Sequence, residues 1–125
     1  MLIQNGYVPV LSPLTHDKKG HLLNTNADTI AAETAKALAS MYEVTLIYCF
    51  EKSGVLKDEQ DDRSVIPALN REMYEEYKRE GIIRGGMIPK LDNSFQAIDA
   101  GVKQVIITKA SAIVGSTGTV ICNFK

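Results

Sequence analysis

Seven consecutive residues, 44–50 (VTLIYCF), carry no charge and are dominated by β-branched and aromatic side chains. The run is too short for a buried helix and reads as a strand, covered on both faces in the manner of parallel sheets. Such a strand needs helices to cover it, and the sequence offers them on either side. Apolar or small residues recur at Ala27, Ile30, Ala31, Ala35 and Leu38, a helical spacing that predicts a helix over residues 26–40. The six alanines in that stretch allow close approach to whatever supports it. Residues 70–80 read as a charged amphipathic helix, with Asn70 as its cap and Gly81 as its stop. A third helix is predicted over 87–100, with Met87, Leu91, Phe95 and Ile98 as its apolar stripe and Gly101 at its end. Short strands follow at 105–108 and 119–122. Strands alternating with helices imply one α/β domain around a largely parallel sheet.

The other segments are less regular. Residues 7–14 (YVPVLSPL) read as a strand made edge-like by Pro9 and Pro13. Asp17-Lys18-Lys19-Gly20 is a turn with its return strand at 21–23, so a hairpin is expected. Residues 51–63 form a polar loop, whose acidic run Asp58-Glu59-Gln60-Asp61-Asp62 reads as solvated rather than metal-binding. Gly115-Ser116-Thr117-Gly118 is a turn before the last strand.

Composition narrows the function classes. At 125 residues the chain is one domain's worth, and its net charge of −1 gives no general attraction to nucleic acid or anionic membrane. No apolar run approaches the ~20 residues of a membrane span. The start, Met1-Leu2-Ile3-Gln4-Asn5-Gly6, does not read as a signal peptide. Cys49 and Cys122 lie inside apolar runs and read as buried, reduced thiols of a cytoplasmic protein. His16 and His21 flank a turn and read as surface residues, and no spacing suits a metal.

Chemistry concentrates at two helix starts. Asn24-Thr25-Asn26-Ala27-Asp28 places two carboxamides and a carboxylate where one cap would suffice. The surplus suggests a polar cluster at the mouth of the sheet, where α/β proteins place ligands. Lys90 lies at the start of the third helix, after Gly85-Gly86 and beside Pro89. A cation there opposes the helix dipole by roughly 0.3–1 kcal/mol. Either the lysine is solvated and tolerates this, or an anion bound at the glycine-lined helix start compensates it. Asp28 is favourable in a first turn without any function, and its second possible role is to orient a lysine. Asp28 and Lys90 could then meet above the sheet, where a lysine aimed at a phosphoryl group stabilises charge in transfer. The common nucleotide loops G-x-x-x-x-G-K-[ST] and G-x-G-x-x-G are missing.

These residues carry a resemblance. Asn24-Thr25-Asn26-Ala27-Asp28 resembles the N-x-N-A-D motif of the acetylglutamate kinase group within the amino-acid kinase family, and Gly85-Gly86-Met87-Ile88-Pro89-Lys90 resembles its G-G-M-I-P-K motif. Gly6-Tyr7-Val8-Pro9-Val10 with Ser12-Pro13, then Ser53-Gly54-Val55-Leu56, and finally Gly118-Thr119 occur in matching order. The resemblance implies a three-layer αβα sandwich with a mainly parallel sheet. It implies ATP-dependent phosphorylation of the γ-carboxylate of N-acetylglutamate, in arginine synthesis. Lys90 would then sit on the transferring phosphoryl group and Asp28 would organise the catalytic lysines. Asn24 and Asn26 would face the acylglutamate. Phe50, Glu51, Ser53, Gly54, Val55, Leu56, Ile83, Gly86 and Met87 would hold ATP, with Mg²⁺ bridging its phosphates and no metal ligand from the chain.

Two departures qualify the resemblance. Phe50-Glu51 stands where the family usually has Thr or Ser followed by Asp, which keeps a carboxylate but on a longer arm. The match also corresponds to the C-terminal, nucleotide-binding half of the family. The glycine-rich loop, first catalytic lysine, second glycine pair and substrate-binding arginine have no counterpart, so the isolated chain is expected to be inactive or very weak. A non-catalytic nucleotide-binding or assembly module, associating as a homo-oligomer or through an exposed sheet edge, is the rival reading. Another member of the family, acting on carbamate, aspartate or a nucleotide, is the third.

Overall fold

The computed structural model describes residues 2–114 and 117–124. Near its start, β1 (Leu14–His16) and β2 (Leu22–Asn24) form the expected antiparallel hairpin. Asp17 closes the turn: one carboxylate oxygen accepts from the N–H groups of Lys19 and His21, and the other lies 2.6 Å from the His21 ring. Both histidines are exposed, as expected. The first strand is shorter than residues 7–14, and 7–13 run as exposed irregular chain. Pro9 and Pro13 have no N–H to give to a ladder, and no strand among the described residues pairs with this stretch.

Helix α1 (Ala27–Leu38) follows, capped by Asn26, whose side-chain oxygen accepts from the Asp28 N–H at 2.8 Å. Its buried positions are Ala32 and Ala35. Ile30 and Leu38 of the predicted stripe instead line an open groove beside Pro9, Leu11 and Pro13. The seven-residue apolar run becomes β3 (Thr45–Phe50). Leu46 and Tyr48 are buried, but Thr45, Ile47 and Cys49 are exposed. Coverage on both faces therefore fails. Among the described residues β3 is the edge strand of its sheet and no helix covers the face carrying Thr45, Ile47 and Cys49, so those alternate side chains point outward. For the same reason Cys49 is exposed rather than buried, and Cys122, just past the last strand, is half-buried.

The sheet runs β3-β5-β6-β4, where β4 is Ala68–Leu69, β5 is Gln104–Lys109 and β6 is Thr119–Ile121. The β3–β5 and β6–β4 pairs are parallel and β5–β6 is antiparallel, so the sheet is mixed but mostly parallel, within an α/β fold. β4 escaped the sequence reading because two residues after Pro67 carry no periodic signal. Gly115 and Ser116 of the predicted turn lie outside the described residues.

Helices α2 (Arg71–Arg79) and α3 (Met87–Asp99) match their predicted spans to within a residue or so at each end. Asn70 caps α2, accepting from the Met73 N–H at 2.8 Å. Tyr74 of α2 stacks on Phe95 of α3 with ring centroids 5.4 Å apart, worth about 0.5–1.5 kcal/mol beyond the area both rings bury. One core joins Ala32 and Ala35 of α1, Leu91 and Phe95 of α3, and Leu46, Tyr48, Val105 and Ile107 of the sheet. The helices thus lie against the face of β3 that carries Leu46 and Tyr48. β3 and β5 pair from Thr45–Gln104 to Phe50–Lys109, so their carboxyl ends are level. The starts of α1 and α3 converge there, the usual ligand position in such sheets.

Candidate functional site

Lys90 Nζ lies 2.6 Å from Asp28 Oδ2. The Lys90 side chain is only 15% exposed, so it is not the solvated surface lysine that the sequence left open. Asp28, at 36%, keeps contact with solvent. The ammonium also lies over two aromatic faces, 4.7 Å from the Tyr48 ring centroid and 5.7 Å from that of Phe50. The Tyr48 hydroxyl donates to the backbone carbonyl of Asp28 at 3.2 Å. Burial, with a smaller contribution from the Asp28 charge, pushes the Tyr48 phenol up to about 12. It therefore remains a donor at neutral pH.

Helix α3 begins without a side-chain cap and without an acidic residue in its first turn. Gly85, just before it, has φ +60°, a left-handed conformation that glycine adopts without strain. Gly85, Gly86 and Met87 line a cleft of about 410 Å³, so the uncapped helix start forms part of its wall.

The facing wall is residues 50–52 and 54–56, and its shape is set from beneath. A Cβ on Gly54 would lie 2.8 Å from Thr119 Oγ1 and 2.9 Å from Val65 Cγ1, so only glycine fits without displacement. Buried Thr119 accepts from the Val55 N–H at 2.8 Å and donates to the Ile66 carbonyl at 2.7 Å. Ser53 ties the loop from outside. Its hydroxyl donates to Asp62 Oδ2 at 2.7 Å, its N–H to Oδ1 at 3.1 Å, and Lys109 Nζ reaches the same carboxylate at 3.0 Å. These bonds, the Ser53 hydroxyl foremost, bring the Asp62 carboxyl down to about 2.

Of the nine residues expected at the nucleotide, Phe50, Glu51, Gly54, Val55, Leu56, Ile83, Gly86 and Met87 line the cleft together with Lys90. Ser53 does not, because its hydroxyl is committed to Asp62. Asp28 reaches the site through Lys90. Asn24 is exposed at the end of β2, Asn26 is the α1 cap, and neither lines the cleft. Glu59 was missed. It is exposed, as the reading of its acidic run as solvated expects, and it also lines the cleft and pairs with Arg84 of the opposite wall at 3.1 Å. Only tertiary proximity reveals that pair. The lining carries Lys52, Arg84 and Lys90 against Glu51 and Glu59, a small cationic excess beside apolar Val55, Leu56 and Ile83. Among the described residues no group of three or more His, Cys, Asp or Glu is placed to hold a metal, and no helix is long and apolar enough to cross a membrane.

An αβ fold with a lysine and aspartate paired at two helix starts beside a cleft defines a class. Residues 1–109 match the amino acid kinase family, and the chain belongs to it. Within that family it is similar to acetylglutamate kinases. It is 68% identical over 120 residues to the acetylglutamate kinase of Phocaeicola vulgatus, a span covering 96% of this chain and 47% of the relative. It is 40% identical over 111 residues to that of Methanosarcina barkeri, covering 89% and 34%. Among solved structures it superposes on smu.665 from Streptococcus mutans with TM-score 0.78 and 31% identity, over 98% of this chain and 46% of that one. N-acetylglutamate synthase from Neisseria gonorrhoeae, complexed with coenzyme A and L-arginine, shares the fold at TM-score 0.74 and 18% identity, over 90% of this chain and 27% of that one. The chain spans about half the length of the curated relatives it matches.

Proposed function

We propose that this chain is the nucleotide side of an acylglutamate kinase, working in the cytoplasm on ATP and N-acetylglutamate in arginine synthesis. The observation that carries the reading is the Lys90–Asp28 pair at the uncapped start of α3, on the wall of the 410 Å³ cleft. Val55, Leu56, Ile83 and Met87 suit a nucleotide base, with Phe50 and Glu51 beside them on the cleft wall. The backbone at Gly86 and Met87, where no side chain caps α3, and the Lys90 ammonium suit its phosphates. Mg²⁺ would bridge those phosphates and supply Lewis acidity there. Lys90 stabilises the charge that grows on the transferring phosphoryl group, and Asp28 keeps its ammonium in one position. Asn24 and Asn26, next to Asp28 in the chain, would face the acylglutamate. The first catalytic lysine and the substrate clamp belong to a half with no counterpart among these 125 residues.

Titration calorimetry with ATP–Mg²⁺ and a coupled ADP-release assay with N-acetylglutamate test the reading. The expected result is weak nucleotide binding with negligible turnover. Robust turnover by this chain alone would overturn its standing as a half-enzyme, and no nucleotide binding would overturn the site. A second reading, an assembly module, is favoured by the exposed outer face of β3 and by the groove between Pro9–Pro13 and α1, into which Ile30 and Leu38 open. Light scattering separates the two: a clean monomer that binds ATP–Mg²⁺ excludes the module.

A further inference from the structure

The motifs behind the family likeness contain Lys90 and Asp28 but not the two aromatic rings against which the lysine rests. Tyr48 is 4% exposed, and its ring lies 4.7 Å from Lys90 Nζ. Phe50, two residues on and on the same face of β3, lies 5.7 Å from the same atom. The Tyr48 hydroxyl is bonded to the Asp28 main chain, so one side chain touches both members of the ion pair. A lysine ammonium on a flexible four-carbon stem has many rotamers, and a single carboxylate contact leaves most of them open. A second, orthogonal contact from an aromatic face removes that freedom while leaving the remaining N–H donors free.

We infer that Tyr48 is a positioning residue for Lys90, with Phe50 as a second plate of the same aromatic cradle. Tyr48 holds the ammonium with its ring and, through its hydroxyl, holds the first turn of α1 that carries Asp28. A residue that only filled the core would need neither the ring beneath the cation nor the hydroxyl on the carbonyl. The functional weight of the cradle rests on the kinase reading of Lys90, but its geometry does not.

The test is trace acetylation of the folded chain with acetic anhydride, read by mass spectrometry at Lys90 and normalised to Lys103, a lysine half-exposed beside Glu43. Tyr48→Leu is expected to raise Lys90 labelling about fivefold, the loss of one cation–π contact, with Lys103 unchanged. Tyr48→Phe keeps the ring and restores most of the protection. Phe50→Leu gives a smaller rise, and since Phe50 is only partly buried it decides the matter if Tyr48→Leu does not fold. Labelling of Lys90 that stays at the wild-type level in the folded variants overturns the cradle. A parallel arm adds ATP–Mg²⁺ to the wild type. If nucleotide fails to protect Lys90 while the variants still change its labelling, the kinase reading fails and the cradle stands. If nucleotide protects Lys90 but the variants change nothing, the reverse holds.

Discussion

Lys90 and Asp28 stand 62 residues apart in the chain and 2.6 Å apart in space. Each belongs to the start of its own helix, and the two positions are electrostatically opposite. Asp28 suits the positive end of α1, whereas Lys90 is disfavoured by that of α3. Their contact resolves the second problem with the first. It also leaves the start of α3 free of any acidic side chain of its own, open to an anion from the cleft.

Breaking the pair from its two ends has unequal consequences. Asp28→Asn leaves a mostly buried ammonium without its counter-charge, at a cost of about 1–2 kcal/mol, below the range for a fully buried pair because Asp28 stays partly solvated. Lys90→Met keeps an apolar stem over Tyr48 and Phe50 and costs less. Urea denaturation of both variants checks this, with the lower midpoint expected for Asp28→Asn. ATP–Mg²⁺ affinity falls in both.

The cleft wall depends on close packing at Gly54. Gly54→Ala places a methyl against Thr119 Oγ1 and Val65 Cγ1, and the overpacking costs about 1–3 kcal/mol. Thr119→Val removes the partner of the Val55 N–H and the Ile66 carbonyl, also about 1–3 kcal/mol for each group left unsatisfied. Calorimetric melting measures both. A Gly54→Ala protein that melts with the wild type would show the loop to be more pliant than its contacts indicate.

The Asp62 clasp has an acid signature. Its carboxyl lies at about 2 in the folded chain against an ordinary value of 3.8. A lowered carboxylate stabilises the fold above the ordinary value and loses that contribution as pH falls through the folded one. The loop ties from Ser53 and Lys109 therefore weaken between about pH 4 and pH 2. Carboxyl carbon NMR of Asp62 follows the titration directly, and Ser53→Ala is expected to move its midpoint up toward 3.8.

Alkaline titration reports on Tyr48. Its phenol rises from an ordinary 10 to about 12, so its contribution is fully present below pH 10 and is lost as pH climbs through 12. Burial, and after it the hydrogen bond to Asp92, raises Tyr74 as well. Phenolate absorbance should thus show a late phase that Tyr48→Phe removes only in part and Tyr74→Phe removes for the remainder.

Much of the fold was legible in the sequence because it depends on local periodicity. The three helices emerged from apolar spacing and from caps such as Asn26 and Asn70, and the hairpin from Asp17–Gly20. What failed were the properties that neighbours confer. Residues 44–50 read as covered on both faces, yet β3 lies at a sheet edge, and Cys49 is exposed with it. The two-residue β4 exists only because β6 lies beside it.

The site divides along the same line. By itself the sequence determined which residue types stand at the two helix starts, and the resemblance its contiguous motifs carry pointed to Phe50, Glu51, Gly54, Val55, Leu56, Ile83, Gly86 and Met87, which line the cleft. Only the tertiary structure decided that Ser53 serves Asp62 instead of the cleft, that Glu59 faces Arg84, and that two rings of β3 lie beneath Lys90. The first joins two ends of one irregular loop and the others join residues from different elements, and local pattern cannot report a contact whose distance is set by how loop, sheet and helices fold together.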